Sequence, residues 1–137
     1  MITSDTLWRK LREKPYREQF AATQVKSGIP FQIRAIMKNR GLSQEDLAAR
    51  AGLTQGVVSR AANPSYGNLT LNTILRIAAG LDVAFVGYFV PFSELANWYT
   101  TLSERDICPA TFAEEDAQYT LRCNSFSAGL LRPMPAL

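Results

Sequence analysis

The sequence predicts a mainly α-helical fold in which a group of short helices is followed by one β-strand. From residue 4 to residue 82, apolar residues recur at helical spacing, and glycines and capping residues divide them into short segments. Only residues 83–90 combine β-branched and aromatic side chains at the density typical of a strand. A chain of 137 residues, 47% apolar and 20% charged, is large enough for one compact domain with an appended segment.

Two helices are expected before Ser27. Leu7 and Leu11 share a helical face, and a second apolar face follows after a break at Pro15. Proline suits the first turn of a helix, because its missing N–H group would have no partner there in any case. A third helix is expected over about residues 30–39, just before a glycine that can end it.

Residues 42–63 carry the signals of two short helices joined by a tight turn. Ser43 is placed to cap the first helix, and Asp46 stands three residues later in the capping-box position. Gly52 falls where a left-handed residue is needed, and Thr54 can cap the second helix at once. Such a pair is a helix-turn-helix, which binds DNA in many proteins but also serves as a plain packing unit.

The pair has Gln after its first cap, Ala four residues later, Gly in the turn and Ser-Arg in its second helix. Residues 43–52 and 54–60 therefore resemble the lambda-repressor/Cro-like (Xre) helix-turn-helix family. The resemblance covers about residues 30–82 and implies a five-helix DNA-binding domain there. Residues 63–71 and 81–83 are similar to one branch of this family, the DNA-binding antitoxins whose partner is a kinase-like toxin. In that branch, a strand after the last helix pairs across a dimer.

The chain departs from the family at three positions. The family usually has an aliphatic residue and Glu where this chain has Ala61 and Ala62, and that Glu often pairs with an arginine such as Arg34. Gly56 stands where the family often has a polar residue that contacts a base. These departures keep open the interpretation that the protein is an interaction module without DNA binding.

The resemblance implies that the second helix enters the DNA major groove by its N-terminal end. Gln55 can then pair with an adenine edge, Arg60 with guanine and Val57 with a thymine methyl group. For Arg60 the alternative is a solvated surface arginine, and for Tyr66 it is core packing. Backbone contacts are expected from the start of the first helix and from the loop after the second. The full set predicted to bind DNA is Ser43, Gln44, Thr54, Gln55, Val57, Ser59, Arg60, Ser65, Tyr66 and Asn68.

Two further helices are expected beyond this pair. Thr70 is placed to cap the first of them. Ser93 is placed to cap the second, over about residues 94–102, and the pattern fades beyond Ser103. The inner face of the first helix is expected to carry Leu71, Ile74, Leu75, Ala78 and Leu81.

The predicted strand over residues 83–90 points to a dimer. A single strand cannot satisfy its own backbone groups, so pairing with the same strand of a second copy about a twofold axis is expected. Packing of the strand against the N-terminal helices is the alternative. A symmetric pair places two reading helices about 34 Å apart, which predicts a palindromic operator. The residues predicted to form the dimer are Val83, Phe85, Val86, Tyr88 and Phe89.

Composition argues against an enzyme, and neither a cofactor nor a metal is expected. The chain has no histidine, which excludes Ser-His-Asp and Cys-His nucleophile arrangements and removes the commonest general base. It also has no phosphate-binding glycine loop. The two cysteines, Cys108 and Cys123, are too few for a four-thiolate metal site and are expected to be ordinary residues rather than a redox switch.

Charge is unevenly distributed along the chain. Residues 1–40 carry nine basic and three acidic side chains, residues 41–90 three of each, and residues 91–137 three basic and six acidic. A basic front half suits double-stranded DNA, although solvated helical faces explain it equally well. The start of the chain lacks the apolar core of a signal peptide, and no segment is apolar enough to span a membrane. A cytoplasmic protein without membrane contact is expected.

These observations predict four regions. They are an N-terminal helical extension over residues 1–28, a helix-turn-helix DNA-binding domain over 29–82, a dimerisation strand and following helix over 83–103, and a C-terminal tail over 104–137. The leading function is a sequence-specific transcriptional regulator, foremost a repressor, that binds a palindromic operator as a homodimer. The alternatives are an antitoxin that autoregulates its operon and binds a toxin protein, and an interaction module that does not bind DNA.

Overall fold

The computed structural model describes residues 4–101 and 107–123, and these residues are mainly helical, as predicted. The end of the helix expected at Leu102 lies outside the described residues. The helices are α1 (Ser4–Leu11), α2 (Lys14–Lys26), α3 (Gly28–Arg40), α4 (Gln44–Ala51), α5 (Gln55–Ala61), α6 (Leu71–Gly80), α7 (Phe92–Thr101) and α8 (Phe112–Cys123).

The two N-terminal helices pack with α7 to form a small lobe, here called the N-terminal lobe. Helix α1 buries Leu7 and Leu11 and contacts both α2 and α7. The rings of Phe20 on α2 and Tyr99 on α7 pack edge to face, with their centroids 5.3 Å apart. Pro15 lies in the first turn of α2, as predicted.

Helices α3 to α6 enclose the main core. Leu47 and Val58 are fully buried at its centre. Ala61 and Ala62 are buried as well, so small apolar side chains fill these two positions of the core. Burial of this apolar surface is the main force that holds the four helices together. The other buried members are Ile33, Ile36, Met37, Ala48, Ile77 and Leu81.

Only four helices lie within residues 29–82, where five were predicted. The stretch from residue 62 to residue 70 forms turns instead of a further helix. Asn63 accepts a hydrogen bond from the Ser65 amide through its side-chain oxygen, and Pro64 and Gly67 both disfavour a continuous helix. The loop therefore connects α5 directly to α6.

Helix α6 approaches α4 unusually closely at Gly80. A Cβ atom at Gly80 would lie 2.9 Å from the backbone nitrogen of Ala51 and 3.0 Å from its Cα. Such distances are shorter than real Cβ contacts, and a backbone neighbour cannot swing away as a side chain can. Glycine at this position thus sets the spacing between the two helices.

The inner face of α6 differs from the predicted one. Leu71 and Leu75 are 71% and 53% exposed, so their assignment to the core was wrong. The buried positions are Ile74, Ile77 and Ala78, followed by Leu81, which is the i, i+3, i+4, i+7 pattern of one narrow helical stripe. Leu71 and Leu75 lie to one side of this stripe because, at about 100° of rotation per residue, they are turned from its centre by about 70° and about 110°.

The strand predicted at residues 83–90 is not observed, and that prediction is wrong for the single chain. A strand needs the hydrogen bonds of a neighbouring strand, and no second extended segment pairs with these residues in the described ranges. Val83 instead donates its amide to Ala78 at 3.0 Å and packs against the core, with Phe85 half-buried beyond it. Val86, Tyr88 and Phe89 remain exposed.

Helix α7 begins two residues earlier than a Ser93 cap would allow. The carbonyl of Pro91 accepts hydrogen bonds from the amides of Glu94 and Leu95, so the helix starts at Phe92. Ser93 is therefore inside the helix, and its prediction as the capping residue was wrong.

Helix α8 was not predicted. Thr111 accepts a hydrogen bond from the Glu114 amide, and the Glu114 carboxylate accepts one from the Thr111 amide, which together form a capping box. The spacing of these two residues was the signal that the sequence offered. The first turn of α8 is also held by Asp82, which accepts from the amides of Phe112 and Ala113.

The segment before α8 is attached to the core through Arg40. This side chain donates to the backbone carbonyls of Leu81 and Pro109. A second connection joins the Gln32 side-chain amide to the carbonyl of Ile107 at 3.1 Å. Cys108, between these two attachments, is a free thiol that is half-buried against the core.

We expect Gly80→Ala to lower the free energy of unfolding by about 1–3 kcal/mol, because the added methyl group overpacks the contact with the Ala51 backbone. This cost exceeds the gain in helix propensity, which is about 1 kcal/mol for Gly to Ala. Urea unfolding followed by circular dichroism measures the difference.

The matched control is Gly56→Ala on the exposed side of α5. A Cβ there would meet its nearest neighbour, Nη1 of Arg60, at an ordinary contact distance of 3.7 Å. This variant should be neutral or more stable by up to about 1 kcal/mol. Equal unfolding free energies for the two variants would contradict the close approach of α6 to α4.

Candidate nucleic-acid interface

The turn between α4 and α5 is fixed by hydrogen bonds that the sequence predicted. The Asp46 amide donates to Ser43 Oγ at 3.0 Å, and the Ser43 amide donates to the Asp46 carboxylate at 2.9 Å. Gly52 ends α4 with a left-handed φ of 66°, which costs glycine nothing. Thr54 Oγ1 then accepts from the Val57 amide and starts α5.

The capping box also sets the ionisation of Asp46. The hydrogen bond from the Ser43 backbone amide, together with the one between the two side-chain groups, lowers the pKa of the Asp46 carboxyl below its ordinary value. The positive charge of Arg50, one turn along α4, acts in the same direction. The carboxylate is thus held charged at the positive end of the helix.

Helix α5 presents one face to solvent and the other to the core. Val58 and Ala61 are buried and fasten the helix to α4 and α6. The residues on the opposite face that were predicted to contact DNA are exposed, except for Val57, which is half-buried. They are Thr54, Gln55, Ser59 and Arg60.

The Arg60 guanidinium has two neighbours that limit its position. Its Cζ lies 5.9 Å from the centroid of the Tyr66 ring, within the range of a cation–π contact. Its Nη1 passes close to Gly56, where even a methyl group would be in contact. The arginine therefore lies along the exposed face of α5, where the Tyr66 ring limits its rotation on one side.

The loop after α5 brings Tyr66 to Arg60, and Asn63 shapes this loop. The Asn63 amide donates to the Arg60 carbonyl, and its own carbonyl accepts from the Tyr66 amide, both at 3.1 Å. Sequence reasoning missed Asn63, although Asn before Pro is a common start of such a turn. Ser65 and Asn68, also predicted to contact DNA, are exposed on the same loop.

The start of α4 lies apart from this loop in sequence but was predicted to join it in binding. Ser43 uses both its hydroxyl oxygen and its amide within the capping box, so its contribution is first of all to helix geometry. Gln44 follows it at the first helical position and is half-buried. The first amides of a helix have no partner within the helix and can bind an anion.

Within residues 4–101 and 107–123, no group of three His, Cys, Asp or Glu side chains is placed to hold a metal ion. None of the helices described has the length and apolarity required to cross a membrane.

Comparison with known proteins identifies the segment that contains this interface. A family model described as helix-turn-helix matches residues 33–87, which span most of α3 and all of α4, α5 and α6. Searches of curated proteins and of solved structures each gave no match. The matched segment contains the capped turn between α4 and α5 and the exposed face of α5.

The pKa of Asp46 predicts how stability depends on pH. Because the folded-state pKa is lowered, the unfolded chain binds more protons in acid, and stability falls as the pH drops below about 3.9 toward the folded-state pKa. We expect Asp46→Asn to be less stable than the wild type at pH 7 and to lose less stability on acidification. Urea unfolding at neutral pH and near about pH 2 compares the two proteins. An equal stability difference at both pH values would contradict the role of the charged carboxylate.

Proposed function

We propose that the protein is a sequence-specific DNA-binding transcriptional regulator that acts without catalysis, most simply as a repressor that occupies a palindromic operator as a homodimer. The observation that carries the proposal is the exposed, capped N-terminal half of α5 within the segment that matches the helix-turn-helix family. A helix held in this way can enter the major groove without reorganisation.

Sequence would be recognised by three side chains of α5. The Gln55 amide can donate to and accept from an adenine edge, and Arg60 can donate two hydrogen bonds to guanine. Val57, which is partly exposed, can contact a thymine methyl group. The contact of Arg60 with Tyr66 supports this assignment, since a restrained guanidinium loses less conformational entropy when it binds.

Phosphates would be bound on both sides of the recognition helix. On one side, the Gln44 side-chain amide can bind a phosphate together with the free backbone amides at the start of α4. Ser59, Ser65 and Asn68 offer exposed polar groups beside α5. Such contacts fix the position of a protein on DNA but do not distinguish sequences.

A homodimer is supported by the exposed apolar segment over residues 86–90. Phe89 is fully exposed, and Tyr88 is 64% exposed, although both are large apolar side chains. A contiguous apolar surface of this kind marks an interaction site in a soluble domain. Pairing with the same segment of a second copy would bury these side chains and satisfy the backbone groups that have no ladder in one chain.

Two alternative functions are separated from this proposal by different observations. An interaction module without DNA binding does not require the exposed polar face of α5 or the restrained Arg60. Duplex binding that weakens steeply with salt would exclude such a module. For an antitoxin, no surface of the described chain specifies a toxin partner, so the proposal is not extended to that function.

We expect Arg60→Ala to weaken binding to an operator selected from random duplexes and to relax preference at one base pair, at a cost of about 1–3 kcal/mol. Gln44→Ala should weaken binding to all sequences alike, because it removes a phosphate contact. Fluorescence anisotropy with the operator and with single-base variants measures both effects. Arg9→Ala, which removes an exposed arginine from α1, is the control. An unchanged operator affinity in Arg60→Ala would show that α5 is not the recognition helix.

We expect Phe89→Asp to convert the protein from dimer to monomer and to weaken binding to the full operator. In the paired segment, the introduced carboxylate would be buried without a partner, which disfavours the dimer. The Phe89 side chain is fully exposed in one chain, so its replacement should leave the fold of the monomer intact. Analytical ultracentrifugation measures the oligomeric state. Phe112→Asp, at an exposed phenylalanine on α8, is the matched control and should remain dimeric. A Phe89→Asp protein that is still a dimer would place the interface elsewhere.

A further inference from the structure

A large open cavity lies between the N-terminal lobe and the helix-turn-helix core. Its volume is about 870 Å³, within the range of small-molecule binding sites. Its walls come from the end of α2, the first half of α3, the start of α6, residues 84–87 and α7. Nothing in the DNA-binding or dimerisation proposals requires a cavity at this place.

The walls of the cavity are mainly apolar and aromatic. Phe31, Phe85 and Trp98 contribute rings from three different elements, and Val25 and Leu71 add aliphatic surface. Phe31 is 61% exposed, so much of this surface faces water in the single chain. An apolar ligand body placed here would remove that surface from water, which is favourable in proportion to the area covered.

Arg34 is the one charged side chain among the described residues that line the cavity. It lies on α3 one turn after Phe31, and in the described parts of the chain it forms neither an ion pair nor a side-chain hydrogen bond. No described acidic residue lines the cavity with it.

We propose that this cavity binds an amphipathic monocarboxylate, with its apolar body against Phe31 and Trp98 and its carboxylate on Arg34. The planar guanidinium can donate two parallel hydrogen bonds to a carboxylate, which adds orientation to the attraction of opposite charges. One cation among apolar walls matches one anionic group on an apolar body. A polyphosphate would need more positive charge than the described walls provide.

The cavity also adjoins the segment that we propose for dimerisation, since residues 84–87 form one of its walls. If the dimer forms as proposed, occupancy of the cavity would influence self-association, and that consequence rests on the proposed function. Binding of the carboxylate does not rest on it, because binding is measured on the protein without DNA.

Trp98 provides a direct signal for binding. The chain has two tryptophans, and Trp8→Phe leaves Trp98 in the cavity wall as the only one. Trp8 lies on α1 outside the described cavity wall and is 44% exposed, so this background should fold normally. Titration with decanoate below its micelle concentration should change the Trp98 fluorescence in a saturable way. Decanamide, the neutral isostere, should bind at least about tenfold more weakly.

Three variants made in the Trp8→Phe background show which residues bind the carboxylate of the ligand and which contact its apolar body. Arg34→Gln should weaken decanoate binding about tenfold or more and leave decanamide unchanged. Lys38→Gln, which removes an exposed cation one turn further along α3, should change neither. Phe31→Ala should weaken both ligands, because it removes apolar wall rather than charge. Circular dichroism confirms that each variant is folded.

Two results would overturn the proposal. Equal affinity for decanoate and decanamide, with no effect of Arg34→Gln, would show simple apolar adsorption. No saturable binding of decanoate, together with dissociation of a dimer by Phe31→Ala in the ultracentrifuge, would assign the cavity to a second copy of the chain. The operator-binding measurement on Arg60→Ala tests the proposed function separately. Its outcome changes neither the decanoate titration nor the ultracentrifuge result.

Discussion

The contact between Gly80 and the backbone of Ala51 is the constraint on which the rest of the structure depends. Helix α4 leads through its turn into α5, and α6 leads into Leu81, Asp82 and the exposed segment after them. The spacing of these two helices therefore decides where the surfaces proposed for DNA binding and for self-association lie relative to each other. A backbone contact suits this task, because close-packed main chain cannot adjust by rotating a side chain.

Helix α5, the proposed recognition helix, is too short to be stable alone, and its geometry is imposed by the residues around it. A seven-residue helix gains little from its own hydrogen bonds, since nucleation is costly. Thr54 fixes its start, and Val58 and Ala61 fasten one side to the core. The loop built on Asn63 then places a tyrosine ring beside Arg60. Local caps and tertiary burial thus combine to hold a small polar surface in one orientation.

The parts of the fold that sequence could predict are those set by hydrogen bonds within a few residues. The caps at Ser43 and Thr54 and the left-handed turn between them follow from side-chain chemistry at fixed spacing. Residues 83–90 have strand-like composition, but no strand pairs with them in the part of the chain that the structure describes, and composition alone cannot supply one. The contact at Gly80, the pairing of Arg60 with Tyr66 and the cavity beside Arg34 join residues from different elements. Their geometry depends on how helices pack, which local patterns do not encode.

The attachment made by Arg40 has a consequence for how this protein can diverge. The guanidinium holds the segment before α8 by main-chain carbonyls, at Leu81 and Pro109, and not by side chains. Every amino acid carries a backbone carbonyl, so these two hydrogen bonds can persist when the residues that accept them are replaced. A lysine could not serve in its place, because one ammonium group lacks the fork that spans two carbonyls. The side chains of residues 107–111 can therefore change during evolution while Arg40 continues to attach this segment to the core.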